Sequence, residues 1–279
     1  MEEEKVERLV DQAKQNPIKN VFIIGWEAVI LNIPIMLSAI LVLVLLGLLG
    51  FVPYINVVVT ILSATFMVSA QIYIARIFEE ASDMYGFASN IEKMTLKELF
   101  HTHLMTALGS YFAWVILFLI PLIVTFIIMP QDLSKIDPET IMNIAKNLIP
   151  FLIFILIILY VQPLIQYNII KAEGFSEGFK AVLTLFSSNL WSRALSGSYF
   201  SYIAKFGLVV FLLLFLIGLG LGLFAALLGS PIAEVSKEMS QTTQMVIGSI
   251  NTLFSFIFMI FMSIFIIFAQ HLSQSTEVN

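Results

Sequence analysis

The sequence contains no cysteine. That excludes disulfide frameworks, thiol nucleophiles and thiolate metal sites. Charge is almost as scarce, at 12% of 279 residues, about half the share found in soluble domains. A chain this poor in charge cannot cover a globule of its size with polar groups, and lipid is the solvent that removes the need. The net charge of −5 is small and spread over connecting segments, which argues against a nucleic-acid partner. No Ser-His-Asp set, HExxH helix, P-loop or long hydrophilic stretch is present. No catalytic residue, metal or cofactor is expected. The opening Met1-Glu2-Glu3-Glu4 lacks the basic, then apolar, pattern of a secretory signal, so the N-terminus is expected to be retained.

What is abundant is apolar sequence, 59% of the chain, gathered into blocks of about twenty residues or more. That is the length that crosses roughly 30 Å of hydrocarbon at about 1.5 Å per residue. The expected fold is all-α: one six-span transmembrane domain over residues 1–279, with spans near 34–52, 55–76, 105–129, 147–170, 203–228 and 245–270. Residues 1–33 read as an N-terminal cytoplasmic and interfacial segment, because Val6, Leu9, Val10 and Ala13 recur at helical spacing. Residues 77–104 and 171–193 are amphipathic; in the second, Phe179, Val182, Leu183 and Phe186 share a helical face. Both fit helices lying in the membrane plane.

Charge sets the expected orientation. With the N-terminus inside, the inner segments carry eleven of the fourteen Lys and Arg residues, and the outer loops carry Lys135, Lys146 and Lys237. The positive-inside bias therefore favours both termini in the cytoplasm.

Two segments look alike. Leu99-Phe100 leads to Gly109-Ser110-Tyr111-Phe112, and Leu185-Phe186 leads to Gly197-Ser198-Tyr199-Phe200, offset by 86 and then 88 residues. This suggests a parallel hairpin repeat, with residues 1–76 as a diverged third copy; chance similarity in apolar sequence is the alternative.

The candidate intramembrane polar or pathway residues are Glu27, Gln71, Gln162, Gln166 and Asn168. Amides facing lipid cost free energy, so they should meet other helices or line a wet cavity. Glu27 sits beside Trp26 and reads either as a coupling acid or as an interfacial residue reaching water. Pro163, between the two glutamines of span four, should loosen that helix. Gly218, Gly222 and Ala226 form a small-residue face in span five, suited to close helix packing within the protomer, with another copy or with a protein partner. Glu79, Glu80 and Asp83 cluster after span two; such a group can hold a magnesium–diphosphate, but no second acidic cluster supports it. His101 and His103 diverge on a helix and make a poor metal pair.

The first hairpin, Gly50-Phe51-Val52-Pro53-Tyr54-Ile55, and the stretch Lys171-Ala172-Glu173-Gly174-Phe175-Ser176-Glu177-Gly178-Phe179-Lys180 before Asn189-Leu190-Trp191 carry a resemblance. The chain resembles an uncharacterised family of prokaryotic six-helix integral membrane proteins and is distantly similar to the membrane domain of glycerophosphodiester phosphodiesterases. The likeness implies a multi-pass protein of a prokaryotic cytoplasmic (inner) membrane. It lends no activity, because no phosphodiesterase domain is attached. Two functional expectations follow: a non-enzymatic scaffold or accessory membrane subunit, or a transporter or exporter of a small molecule or lipid.

Overall fold

The computed structural model describes residues 8–50, 52, 54–128, 138–227 and 241–274. Among them are twelve α-helices and one 3-10 turn, with no strand. The helices are α1 (Leu9–Ala13), α2 (Pro17–Leu31), α3 (Ile33–Leu49), α4 (Asn56–Glu80), α5 (Met84–Glu92), α6 (Leu96–His101), α7 (Leu104–Ile128), α8 (Pro138–Lys171), α9 (Gly174–Leu183), α10 (Ser188–Ala194), α11 (Gly197–Leu227) and α12 (Gln241–Gln274).

Local chemistry explains the boundaries. Pro17 opens α2, where its missing N–H is no loss. Asp83 caps α5 by accepting from the Gly86 N–H at 2.7 Å. Thr95 and Glu98 close a reciprocal capping box on α6. Ser187 accepts from the Leu190 N–H and starts α10. Gly174, at φ 77°, turns the chain between α8 and α9, a backbone conformation that a Cβ would strain.

Long helices occupy all six expected intervals. Among the described residues, four are long and apolar enough to cross a membrane alone: α4, α7 with the short helix before it, α8, and α12. The number reaches six if each of two bent pairs is one span, α2–α3 with an 88° bend and α10–α11 with a 66° bend. The chain is thus an all-helical, multi-pass membrane protein. The bend in the first pair falls at Asn32, whose side-chain amide donates to the Ala28 carbonyl at 2.9 Å. Residues 21–33, expected as an interfacial lead-in to the span, thus form most of a distinct helix set at 88° to α3.

The long helices pair as α3–α4, α7–α8 and α11–α12, all of which touch. The ends of α4, α8 and α12 and the starts of α7 and α11 gather with the shorter helices at one end of the bundle, here called the base. The Leu9 N–H donates to the Ala81 carbonyl, which fixes α1 against the end of α4. Burial is concentrated towards the base, as in Ala70–Phe78 of α4, Ile158–Ile170 of α8 and Phe256–Ala269 of α12. Away from it, Leu152, Leu156, Phe211, Leu216 and Phe254 are exposed. Lipid tails are as apolar as these side chains, so no hydrophobic force closes the helices over them.

The tightest contact in the bundle joins α7 to α9. A Cβ built on Gly109 would lie 2.0 Å from the Phe175 carbonyl oxygen, and one on Gly178 would lie 2.2 Å from that of Thr106. Only glycine permits this approach of two backbones. The packing of Gly218, Gly222 and Ala226 in α11 falls outside what is described, and Lys135 and Lys237 lie outside the described residues.

Candidate functional site

Polar groups concentrate where α4, α8, α9 and α12 meet at the base. Gln166 donates its amide N–H to the Gln71 side-chain oxygen at 3.0 Å, joining α8 to α4. Ser263 of α12 approaches the Gln71 carbonyl at 3.4 Å and its own-helix Met259 carbonyl at 2.9 Å. Asn168 donates to the Thr184 hydroxyl at 2.9 Å, tying α8 to the segment after α9. Three of the five expected polar residues are thus used in contacts between elements. Gln162 is half-buried on α8, without a role of this kind. Glu27 is exposed on α2 beside Trp26, which is 55% exposed, and it does not join the others.

One helical turn closer to the base, Arg76 reaches across from α4. Its Nε donates to the Ile170 carbonyl at 2.6 Å and a terminal nitrogen donates to that of Ala172 at 2.9 Å. The last carbonyls of a helix have no partner within it, and here a guanidinium supplies one. Thr106 of α7 completes the junction, accepting from the Gly174 N–H at 2.9 Å. Glu79 is 6% exposed. Its carboxylate receives the Tyr167 hydroxyl at 2.8 Å and pairs with the Lys171 ammonium at 2.9 Å. A buried carboxylate is tolerated when it is paired and hydrogen-bonded in this way.

The acidic trio after span two is divided by the fold. Glu79 turns inward to α8, Glu80 is exposed, and Asp83 is spent capping α5. His101 ends α6, while His103 lies in the following turn against the Tyr73 ring at 6.1 Å between centroids. Among the described residues no three His, Cys, Asp or Glu side chains gather closely enough to hold a metal ion.

Two open cavities indent the base. The larger, about 890 Å³, is lined by Asn168, Thr184, Ser187, Ser188, Asn189, Ser192, Arg193, Ser273 and Gln274. Arg193 is partly engaged, donating to the Gln270 side-chain oxygen at 3.1 Å. The smaller, about 540 Å³, lies between the α1–α2 turn and the start of α11. Beside the larger cavity, the Tyr160 hydroxyl meets the Ala194 carbonyl, and Tyr199 donates to the Tyr160 carbonyl at 2.6 Å.

Comparison with protein-family models, curated proteins and solved structures returned no match.

Several structural residues were not foreseen from the sequence. Arg76 counts there as one more inner charge, although its place at the end of an apolar run signals an internal partner. The α7–α9 contact had its own signal in the Gly174-x-x-x-Gly178 spacing. The tetrapeptides at Gly109 and Gly197 both lie in the first turns of a long helix, yet they are used differently. Gly109 touches a backbone and Gly197 meets nothing within 4 Å.

Proposed function

We propose that the protein is a non-enzymatic scaffold or accessory subunit of a membrane assembly, with its base in the cytoplasm of a prokaryotic cell. The observation that carries this reading is the pairing of Gln71 with Gln166. That bond fastens two helices and commits one group of each amide, with the Gln166 side-chain oxygen left buried and unpartnered among the described residues, so little remains with which to select a passing solute. The separation of Glu79, Glu80 and Asp83 supports the absence of chemistry. The cytoplasmic base is supported by the ten described Lys and Arg side chains, from Arg8 to Lys205, all on basal elements. The inner-membrane location rests on the likeness to the prokaryotic six-helix family. The element order supports a repeated unit: α1–α2, α5–α6 and α9–α10 each precede a pair of long helices. In this reading the partners are the bilayer and a protein, or a second copy, bound through the base or through span five.

Transport is the second reading, favoured by the larger cavity, because Asn168 lies in its wall. The absence of native cysteine makes the test direct. In single-cysteine variants, Asn168→Cys should react with a membrane-impermeant maleimide from the basal side only. Gln71→Cys and Gln166→Cys should stay protected from both sides. Labelling of either from both sides, in alternation, would replace the scaffold reading with transport. The same reagent should label Lys135→Cys and Lys237→Cys from outside intact cells and Lys97→Cys only after lysis; the opposite pattern reverses the orientation.

A further inference from the structure

The smaller basal cavity is positively charged in a chain whose net charge is −5. Lys14 comes from the α1–α2 turn, Lys19 from the first turn of α2, and Lys205 from the third turn of α11. Asp11 pairs with Lys14 at 2.5 Å. Lys19 and Lys205 have no carboxylate partner among the described residues. The cavity also receives the N-terminus of α2, a 15-residue helix whose preceding Asn16 makes no side-chain cap. Unpartnered N–H groups there favour an anion.

A second observation is independent of charge. Tyr202 forms part of the wall and is 3% exposed, and its hydroxyl has no hydrogen-bond partner among the described residues. A buried hydroxyl without a partner is costly, and an oxyanion in the cavity that Tyr202 helps to line would supply an acceptor. Ser198, by contrast, already donates to the Leu272 carbonyl at 2.7 Å.

The surroundings say what carries the anion. Immediately past Lys205, α11 turns wholly apolar, and Leu208, Phe211 and Leu212 are exposed. Phe22 of α2 and Phe206 of α11 stack at 6.2 Å and hold the two helices together just beyond the cavity lining. A charged pocket bordered by an exposed apolar helix face matches a molecule with a phosphate at one end and acyl chains at the other. We infer that the Lys14–Lys19–Lys205 cavity binds the phosphate of an anionic glycerophospholipid, with the acyl chains lying along α11.

The test uses the full-length protein in detergent and native mass spectrometry with phosphatidylglycerol and phosphatidylcholine of identical chains. The wild type should retain phosphatidylglycerol in preference by on the order of tenfold or more, since each basic residue near a phosphate surface contributes measurably. The combined Lys14→Gln, Lys19→Gln, Lys205→Gln variant should lose that preference. A control with Lys93→Gln, Lys97→Gln and Lys180→Gln should keep it. Tyr202→Phe, which removes the unpartnered hydroxyl without changing the charge, should fold normally and bind phosphatidylglycerol more weakly. Equal stabilisation by inorganic phosphate at the same concentration would assign the site to a soluble anion and overturn the lipid. Retained preference in the cavity variant, or equal loss in the control, would overturn the site.

Discussion

Replacing Gly109 by alanine adds one methyl group at a place where the nearest atom is a backbone oxygen 2.0 Å away. Contact between carbon and oxygen needs roughly 3.2 Å, so α7 and α9 must part by about 1 Å or more along that direction. A side chain could rotate aside, but the Phe175 carbonyl belongs to the first turn of α9 and cannot. Overpacking against flexible neighbours costs about 1–3 kcal/mol, and a backbone neighbour puts Gly109→Ala at the upper end of that range. Gly178→Ala meets the Thr106 carbonyl at 2.2 Å and should behave alike. The two changes strain one junction, so together they should cost less than the total of the separate losses. Gly207 supplies the opposite sign: it lies within α11 with nothing inside 4 Å of its added Cβ. There alanine removes the helix-interior penalty of glycine, about 0.5–1 kcal/mol. For a chain of this size each kcal/mol moves Tm by about 2–4 °C. Thermal unfolding in detergent should therefore show Gly109→Ala and Gly178→Ala falling by about 5–10 °C while Gly207→Ala rises by about 1–3 °C. If all three shift alike, or if Gly109→Ala is neutral, the backbone contact between α7 and α9 does not form.

Gln71→Leu should cost about 1–3 kcal/mol by stranding the Gln166 amide, whereas Gln71→Leu with Gln166→Leu should recover much of it; strictly additive losses in unfolding midpoints would show that the amides are not coupled. Arg76→Met should cost about 2–3 kcal/mol by uncapping Ile170 and Ala172, and Arg76→Lys should restore little, because one ammonium cannot span both carbonyls as the guanidinium fork does; full rescue by lysine in the same unfolding measurement would refute the two-carbonyl cap. The hydrogen bond from Lys14 holds the Asp11 carboxyl below its ordinary value of 3.8. Its stabilising contribution is therefore present above that value and is lost as pH falls through the lower folded one; amide protection in α1, taken relative to the intrinsic exchange rate at each pH, should fall over that acid range in the wild type and not in Asp11→Asn.

The gross architecture was legible because hydrocarbon imposes a length. Residues 105–129 and 245–270 read as spans on composition alone, and α7 and α12 lie there. The bend at Asn32 was only half legible. Pro34 and the polar Asn32 mark a break in an overlong apolar stretch, but a break does not reveal its angle. The pairing of Gln71 with Gln166 was legible as a class of contact and not as a pair, since partners 95 residues apart depend on how helices are arranged in three dimensions. The basic cavity was not legible at all. Lys14, Lys19 and Lys205 look like ordinary inner-loop charges until the α1–α2 turn is set beside α11.

The right-angle bend between α2 and α3 has a mechanical consequence for the bilayer. If α3 stands upright, α2 lies flat. A flat helix of 15 residues is about 22 Å long and about 10 Å wide, a footprint of about 220 Å². In that arrangement the area is taken from one leaflet and not from the other, and each copy of the protein acts as a wedge that loads the two halves of the membrane unequally.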